Sequence, residues 1–364
     1  MRIIFGLGHP AHFHLFKNIF KEFKVRNIEF KIFISDKDIL SNLLIEEGYS
    51  FIKLTERKVN TSFLGKVGKV INTTFTLSKA IKEFKPTILA GCLPQLVYAG
   101  ILNRKPTLFF GEDDFKITFI QGLSVYPFVS NIIAPIVTNI GPFQRKKIAH
   151  SSYHELAYLH PNNFSPDKQI IEKYFDSDDQ YFILRFANLN AYHDIGKKGI
   201  SESLAHKIIE RLLPFGKVYI TSEIDLSKDL EKYRIMINPK DMHHVMAFAK
   251  MYIGDSQTMA AEAAVLGIPF IRYNSFVGKI GYLKELEDVY NLGYGIQIGN
   301  EDLVLNKISE ILEHESLEQE WLIKKTKMLN DKIDLSKFII WFIEKYPESR
   351  KIMNENPDYQ YKFK

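Results

Sequence analysis

Between residues 252 and 273 the chain passes from a short apolar run, Tyr252-Ile253, through Gly254-Asp255-Ser256 into an alanine-rich segment that ends at Gly267. Pro269 then opens a second apolar run, Phe270-Ile271-Arg272-Tyr273. Short apolar runs bounded by glycine and proline read as buried strands, and the span between them is long enough for a helix. The pattern is strand, tight turn, helix, strand, which constrains the chain to a parallel α/β sheet. Such a turn leaves backbone N–H groups unpaired at the helix start, where the macrodipole adds about half a positive charge, so an anion such as phosphate is held there. Asp255 or Ser256 can cap the helix, and Ala260, Ala261, Ala263 and Ala264 let it pack closely on a sheet. Gly254, Asp255, Ser256, Gln257, Thr258 and Met259 form the candidate phosphate-side contacts. Glu262, one turn beyond Thr258 on the same face, is placed to reach the ribose hydroxyls of a nucleotide bound at the turn. An ordinary βαβ turn with a solvated Glu is the competing reading.

The same alternation recurs along the chain. Arg2-Ile3-Ile4-Phe5-Gly6 reads as a buried strand followed by a helix through Phe16, Ile19, Phe20 and Phe23, and residues 29–34 alternate as a second strand. Helical periodicity near 37–47, 67–84 and 94–102 is interleaved with strands at 87–90 and 107–110. The turn-rich segment 161–167 reads as a linker, after which strands at 181–186 and 217–220 alternate with helices at 200–213 and 241–250. A chain of 364 residues suffices for two cores of ordinary size. The expected organisation is a first Rossmann-like domain over 1–162, a second over 168–335, and a helix and tail over 336–364, with 348–364 loosely ordered.

Composition narrows the function classes. With 46% apolar and 25% charged residues the chain is globular, and Cys92, the single cysteine, excludes an internal disulfide. The first residues contain no signal-peptide pattern, and prolines and asparagines interrupt the most hydrophobic window, 123–140, which reads as buried strand and loop. A cytoplasmic protein is expected. The net charge of +5 divides into +9 over residues 1–160 and −4 over 161–364. A basic first half suits an anionic acceptor or membrane surface. In particular, Lys53, Arg57, Lys58, Lys66 and Lys69 surround Phe63, Leu64 and Val67 in the manner of a peripheral membrane-docking element, against the alternative of a solvated loop. Nothing in the sequence has the pattern of a nucleic-acid-binding module.

Four stretches carry candidate chemistry at strand ends. Gly8-His9-Pro10-Ala11-His12-Phe13-His14 follows the first strand, where His9 or His12, with an unperturbed pKa near 6.5, suits a base that takes a hydroxyl proton. The alternative is that they only cap the helix or line the cleft. No carboxylate or Cys nearby completes a metal ligand set, so no metal is expected. Gly111-Glu112-Asp113-Asp114 follows the strand at 107–110 and offers Glu112 and Asp113 as acid/base candidates, against a solvated turn. Arg185, leaving the first strand of the second half, can grip a diphosphate, with His193 beside Asp194 as a further donor; a buried structural Arg is the alternative. Arg272 and Lys279 are further diphosphate candidates, against ordinary surface charge.

The run from Asp255 to Glu262 resembles the nucleotide motif of UDP-N-acetylglucosamine 2-epimerases, Asp-Ser-Gly-Gly-x-x-x-Glu, at Asp255, Ser256 and Glu262, while Gln257 and Thr258 replace its glycines. Over roughly residues 1–330 the chain resembles domain-of-unknown-function family 354, through Gly8 to His14, Glu155-Leu156-Ala157-Tyr158-Leu159, Ala191-Tyr192-His193-Asp194 and Asp255 to Gly267. The resemblance implies a GT-B-like fold of two Rossmann-like domains facing a cleft, with a C-terminal helix crossing back onto the first domain. It also implies a nucleotide-sugar donor, UDP-linked by the motif, with Gly8 among its contacts. The expected activity is metal- and cofactor-independent glycosyl transfer to a glycan or lipid-linked acceptor in cell-surface polysaccharide synthesis. A sugar-nucleotide 2-epimerase or hydrolase using Glu112 or Asp113, and a non-catalytic sugar-nucleotide binder, are the alternatives.

Overall fold

The computed structural model describes residues 1–35, 38–54, 63–176, 178–187 and 199–364. The chain divides into two compact units, one formed by Met1–Tyr158 with Ile333–Lys364, the other by Leu159–Lys332. The turn-rich segment expected to link them, 161–167, lies just inside the second unit.

In the first unit strands and helices alternate as β1 (Arg2–Leu7), α1 (Pro10–Val25), β2 (Glu29–Ile34), α2 (Asp38–Glu46), β3 (Ile52–Lys53), α3 (Phe63–Phe84), β4 (Ile88–Gly91), α4 (Pro94–Leu102), β5 (Thr107–Phe110), α5 (Phe119–Val125), β6 (Asn131–Pro135) and β7 (Lys147–His150). The strands form one parallel sheet in the order β3-β2-β1-β4-β5-β6-β7. The near-continuous apolar runs of β1, β4 and β5 follow from helices covering both faces: Ile3, Ile4 and Phe5 are wholly buried, and Phe5 meets the rings of Phe16 and Phe20 on α1 at 5.2 and 4.8 Å. Gly91, at φ 148°, backs directly onto β1, where a Cβ would lie 2.3 Å from the Gly6 carbonyl oxygen.

The C-terminal segment belongs to this unit. The apolar residues 338–343 lie on a helix, Leu335–Glu344, that packs on α1, and Arg26 pairs with Glu344 at 2.8 Å. The tail expected to be loose is instead ordered as a helix, Glu348–Glu355, and a turn, Pro357–Phe363. Long-range contacts invisible to composition hold it: Gln360 accepts the Ser151 N–H at 2.6 Å, and Tyr359 stacks on Trp341 at 4.9 Å.

Of the basic stretch 53–69, Arg57 and Lys58 and the side chains of Phe63, Leu64 and Lys66 lie outside the described residues. The described part of α3 presents Val67, Ile71 and Phe75 outward, each at least 41% exposed. The window 123–140 holds the end of α5 and β6, and Leu123 and Phe128 in it are exposed rather than buried. Among the described residues no helix is long and apolar enough to cross a membrane.

The second unit contains β8 (Tyr181–Phe186), β9 (Lys217–Ser222), β10 (Met251–Gly254), β11 (Phe270–Tyr273) and β12 (Gly293–Ile296), parallel in the order β12-β11-β10-β8-β9. Leu184, Ile253 and Ile271 from the strands and Leu204, Ile208, Val304 and Ile308 from helices fill its core. From β8 the chain moves outward to β9 and then returns to β10 on the other side of β8. That reversal opens a crevice at the carboxyl ends of β8 and β10, where ligands of open parallel sheets bind. In the first unit the corresponding reversal falls between β1 and β4.

Candidate functional site

At the reversal in the second unit, β10 gives way to the helix Gln257–Leu266 through Asp255 and Ser256. Ser256 is the N-cap, extended at φ −77° and ψ 127°, and its hydroxyl accepts the Met259 N–H at 3.4 Å. Gln257, Thr258 and Met259 are partly exposed, whereas Ala260 to Leu266 are buried, so the helix buries its body and opens its N-terminal turn. Gly267 ends the helix at φ 82°, the left-handed cap that glycine adopts without strain. Gly254 lies against β8, where a Cβ would come within 2.9 Å of the Arg185 Cβ.

Asp255 shapes this turn. Its carboxylate accepts the Ala187 N–H at 2.7 Å and a backbone N–H of Ile200, and Gly199 abuts its Oδ2, so it ties together the two ends of the segment after β8. Burial raises its carboxyl to about 6, against the backbone N–H groups and the Arg185 charge that lower it. An ionised carboxylate only accepts hydrogen bonds, so Asp255 serves the site as a clasp rather than as the phosphate contact expected of it. Arg185, mostly buried on β8, pairs with Glu223, and among the described residues no acceptor meets its buried Nε. His193 and Asp194 lie outside the described residues.

Arg272 departs from its expected role. It is wholly buried: Nε and Nη2 donate to Glu287 Oε1 at 3.0 and 2.7 Å, and Nη1 approaches Asn274 Oδ1 at 3.4 Å. Asn274 in turn donates to the Asp255 carbonyl at 2.9 Å. The arginine therefore underpins the turn from below instead of gripping a diphosphate. Lys279 is exposed and donates to the Ser275 carbonyl at 2.7 Å.

Glu262 is not solvated. It is 5% exposed, and its Oε1 lies 2.9 Å from Nε2 of His243, itself 3% exposed. Sequence reading missed His243, because a histidine on the short helix Met242–Ala247, beside His244, has no pattern linking it to a carboxylate 19 residues later.

The first unit gathers its polar groups at the ends of β1, β5 and β7. The Gly8 N–H donates to His12 Nδ1 at 3.0 Å, and His9, the N-cap of α1, accepts the Ala11 N–H through Nδ1 at 3.2 Å. An accepting Nδ1 leaves the proton of the neutral ring on Nε2, so both imidazoles are arranged as donors, and the expected base role loses its bare nitrogen. Glu112 differs. Its Oε2 lies 3.3 Å from His154 Nδ1, and burial pushes His154 down to about 3, which keeps that imidazole neutral. Around it the loop is fixed: Thr138 donates to the Glu112 carbonyl at 2.8 Å, and Asp114 accepts the Asn139 N–H at 2.9 Å. Asp113 is half-buried on the same loop, and burial, with the Asp113 charge adding to it, raises the Tyr126 phenol. Cys92, at the end of β4, is buried, and burial followed by the Glu112 charge pushes its thiol well up, so it is inert. Among the described residues no three His, Cys, Asp or Glu side chains are grouped to hold a metal ion.

No curated protein matches the sequence. Solved structures of similar fold include a UDP-GlcNAc 2-epimerase from Neisseria meningitidis bound to UDP-GlcNAc, with TM-score 0.67 at 14% identity, over 95% of this chain and 100% of that one. The S. aureus MnaA–UDP structure superposes at 0.68 with 13% identity, over 96% and 97% of the chains. The glycosyltransferase SsfS6 of Streptomyces sp. SF2575 superposes at 0.58 with 10% identity, over 95% and 100%. Identities this low establish the fold alone, a GT-B-like α/β architecture. Residues 1–294 match the family described as Protein of unknown function (DUF354), and the chain belongs to that family.

Proposed function

We propose that this protein transfers a sugar from a nucleotide-sugar donor, UDP-linked, to a glycan or lipid-linked acceptor. The observation that carries the reading is the β8/β10 reversal, where the Ser256-capped helix start, the buried Arg185 Nε and the buried carboxylate of Glu262 lie on adjoining elements of one unit. Helix N-terminal amides and Arg185 would meet the charge that develops on the diphosphate as the anomeric carbon–oxygen bond breaks. The acceptor hydroxyl forms the new bond at that carbon and gives its proton to a base, for which Glu112 is the candidate. The uridine assignment draws on the UDP-GlcNAc and UDP carried by two of the similar structures. A lipid-linked acceptor at a membrane surface is favoured by the outward apolar residues Val67, Ile71 and Phe75 on α3 and Phe119, Ile120 and Leu123 on α5, in a half with a charge of +9.

A second reading, 2-epimerisation of the sugar, has its own support: a carboxylate at Glu112 suits abstraction of a carbon-bound proton, and the epimerase structure superposes better than the glycosyltransferase. Thermal-shift titration tests the donor assignment, since UDP at 100 times its dissociation constant should add about 2.7 kcal/mol to the second unit. No shift with any nucleoside diphosphate sugar overturns it. Incubation with UDP-GlcNAc in heavy water without acceptor then separates the reactions: deuterium at C2 rejects transfer in favour of epimerisation.

A further inference from the structure

His243 and Glu262 stand on two neighbouring helices of the second unit, Met242–Ala247 and Gln257–Leu266. Both are nearly excluded from water, with side chains 4% and 6% exposed, and they meet at 2.9 Å. A carboxylate oxygen only accepts, so Nε2 of His243 carries the hydrogen. A buried carboxylate is costly unless it is hydrogen-bonded, and the last torsion of a Glu side chain is otherwise broad. The histidine thus orients a carboxylate, a group whose two oxygens can each accept more than one hydrogen bond. A ribose diol is recognised by a carboxylate held in one plane, because the two vicinal hydroxyls need acceptors at set positions.

We propose that His243 is a positioning residue for ribose recognition: it orients Glu262 so that the site selects ribonucleotides over 2′-deoxyribonucleotides. The inference rests on the donor-binding reading above. His243 itself is tied into the unit, its ring lying edge-on to Phe164 at 6.3 Å, while His244 Nδ1 accepts the Asp167 N–H at 3.0 Å. The imidazole is therefore set by tertiary packing before any ligand arrives, which is what orientation of a second residue requires.

Calorimetric titration of the full chain with UDP and with 2′-deoxy-UDP tests this. The wild type should prefer UDP by about tenfold to a hundredfold, the range of a hydrogen bond to a charged acceptor. Glu262→Gln should reduce that preference, and His243→Ala should bring it near unity while leaving 2′-deoxy-UDP affinity within about threefold; His243→Gln, which keeps an N–H donor, should restore part of it. A merely structural histidine would weaken both ligands alike. Should the alanine variant not fold, the ¹⁵N-imidazole resonance of His243 in the wild type decides, moving with UDP and much less with 2′-deoxy-UDP. An unaltered preference in His243→Ala, or equal shifts with both ligands, overturns the inference. Equal binding of both nucleotides by the wild type overturns it while sparing the donor reading, whereas no binding of either overturns the donor reading itself.

Discussion

Replacing Arg272 with Met separates a buried support from a ligand-gripping arginine. The guanidinium is wholly buried and makes two hydrogen bonds to one oxygen of Glu287, whose side chain is 7% exposed. Removing one partner of a buried ion pair leaves an uncompensated charge and costs about 3–5 kcal/mol, whereas replacing both with apolar residues of similar volume is often near neutral. Burial already raises the Glu287 carboxyl, with Arg272 drawing it back down, so the lone acid would rise further and protonate in mild acid. Measured at pH 8, the full penalty should appear. For a unit the size of Leu159–Lys332, each kcal/mol moves the transition by roughly 2–4 °C, so the expected fall is about 6–20 °C, and Arg272→Met with Glu287→Leu together should recover most of it. Differential scanning calorimetry, with the second unit's transition identified by its response to UDP, reads the result. A single Met variant that melts within about 2 °C of wild type yet binds UDP tenfold more weakly refutes the reasoning, because the arginine would then act on the ligand.

Glu112→Gln is expected to lower turnover by about 10²–10⁴-fold with donor affinity unchanged, whereas His12→Asn should cost less than tenfold; the reverse order, read by steady-state kinetics, restores the histidine as base. Substituting Ile71, Phe75 and Leu123 together with Ser should abolish co-sedimentation with anionic vesicles at low salt, and equal pelleting of variant and wild type removes α3 and α5 from any membrane contact.

The sequence was most legible where local rules decide structure. Apolar or alternating runs marked β1, β2, β4, β5, β8, β9, β10 and β11 but not β3, β7 or β12, Ser256 and Gly267 marked both ends of their helix, and β/α alternation implied the parallel sheets that the two units contain. What it concealed depends on tertiary partners. Arg272 reads as a surface cation until Glu287, 15 residues on, is brought beneath it. The alternative of a solvated Glu262 falls only when His243 is brought against it, and Glu112 meets His154 only because β5 and β7 end on the same side of a parallel sheet. The histidines of the first loop show a different limit. Their type and position were legible, but which ring nitrogen accepts a backbone N–H, and so whether they can act as bases, is set by the loop's geometry.

Asp255 gives a pH dependence whose sign is opposite to that of most carboxylates. Its folded value, about 6, lies above the ordinary 3.8, so the folded chain binds this proton more tightly than the unfolded chain does. The stability it contributes is therefore complete below about pH 4 and is lost as pH rises through about 6. At about 1.4 kcal/mol for each pH unit between the two values, the loss is at most roughly 3 kcal/mol, or about 6–12 °C in the second unit's transition. Asp255→Asn keeps an oxygen for the Ala187 N–H but cannot ionise, so the difference between wild type and variant isolates this residue from every other titrating group. The expected result is that wild-type stability falls relative to the variant between pH 4 and 7. A phosphate held at the same turn adds negative charge nearby and raises Asp255 further, so UDP binding near pH 6.5 should take up a larger fraction of a proton in the wild type than in Asp255→Asn, where the nucleotide's own terminal phosphate still titrates; the difference is read from the dependence of the binding enthalpy on buffer ionisation enthalpy. Parallel stability curves from pH 4 to 7, with equal proton uptake in both proteins, would show that the buried carboxyl is not perturbed and that the phosphate sits elsewhere.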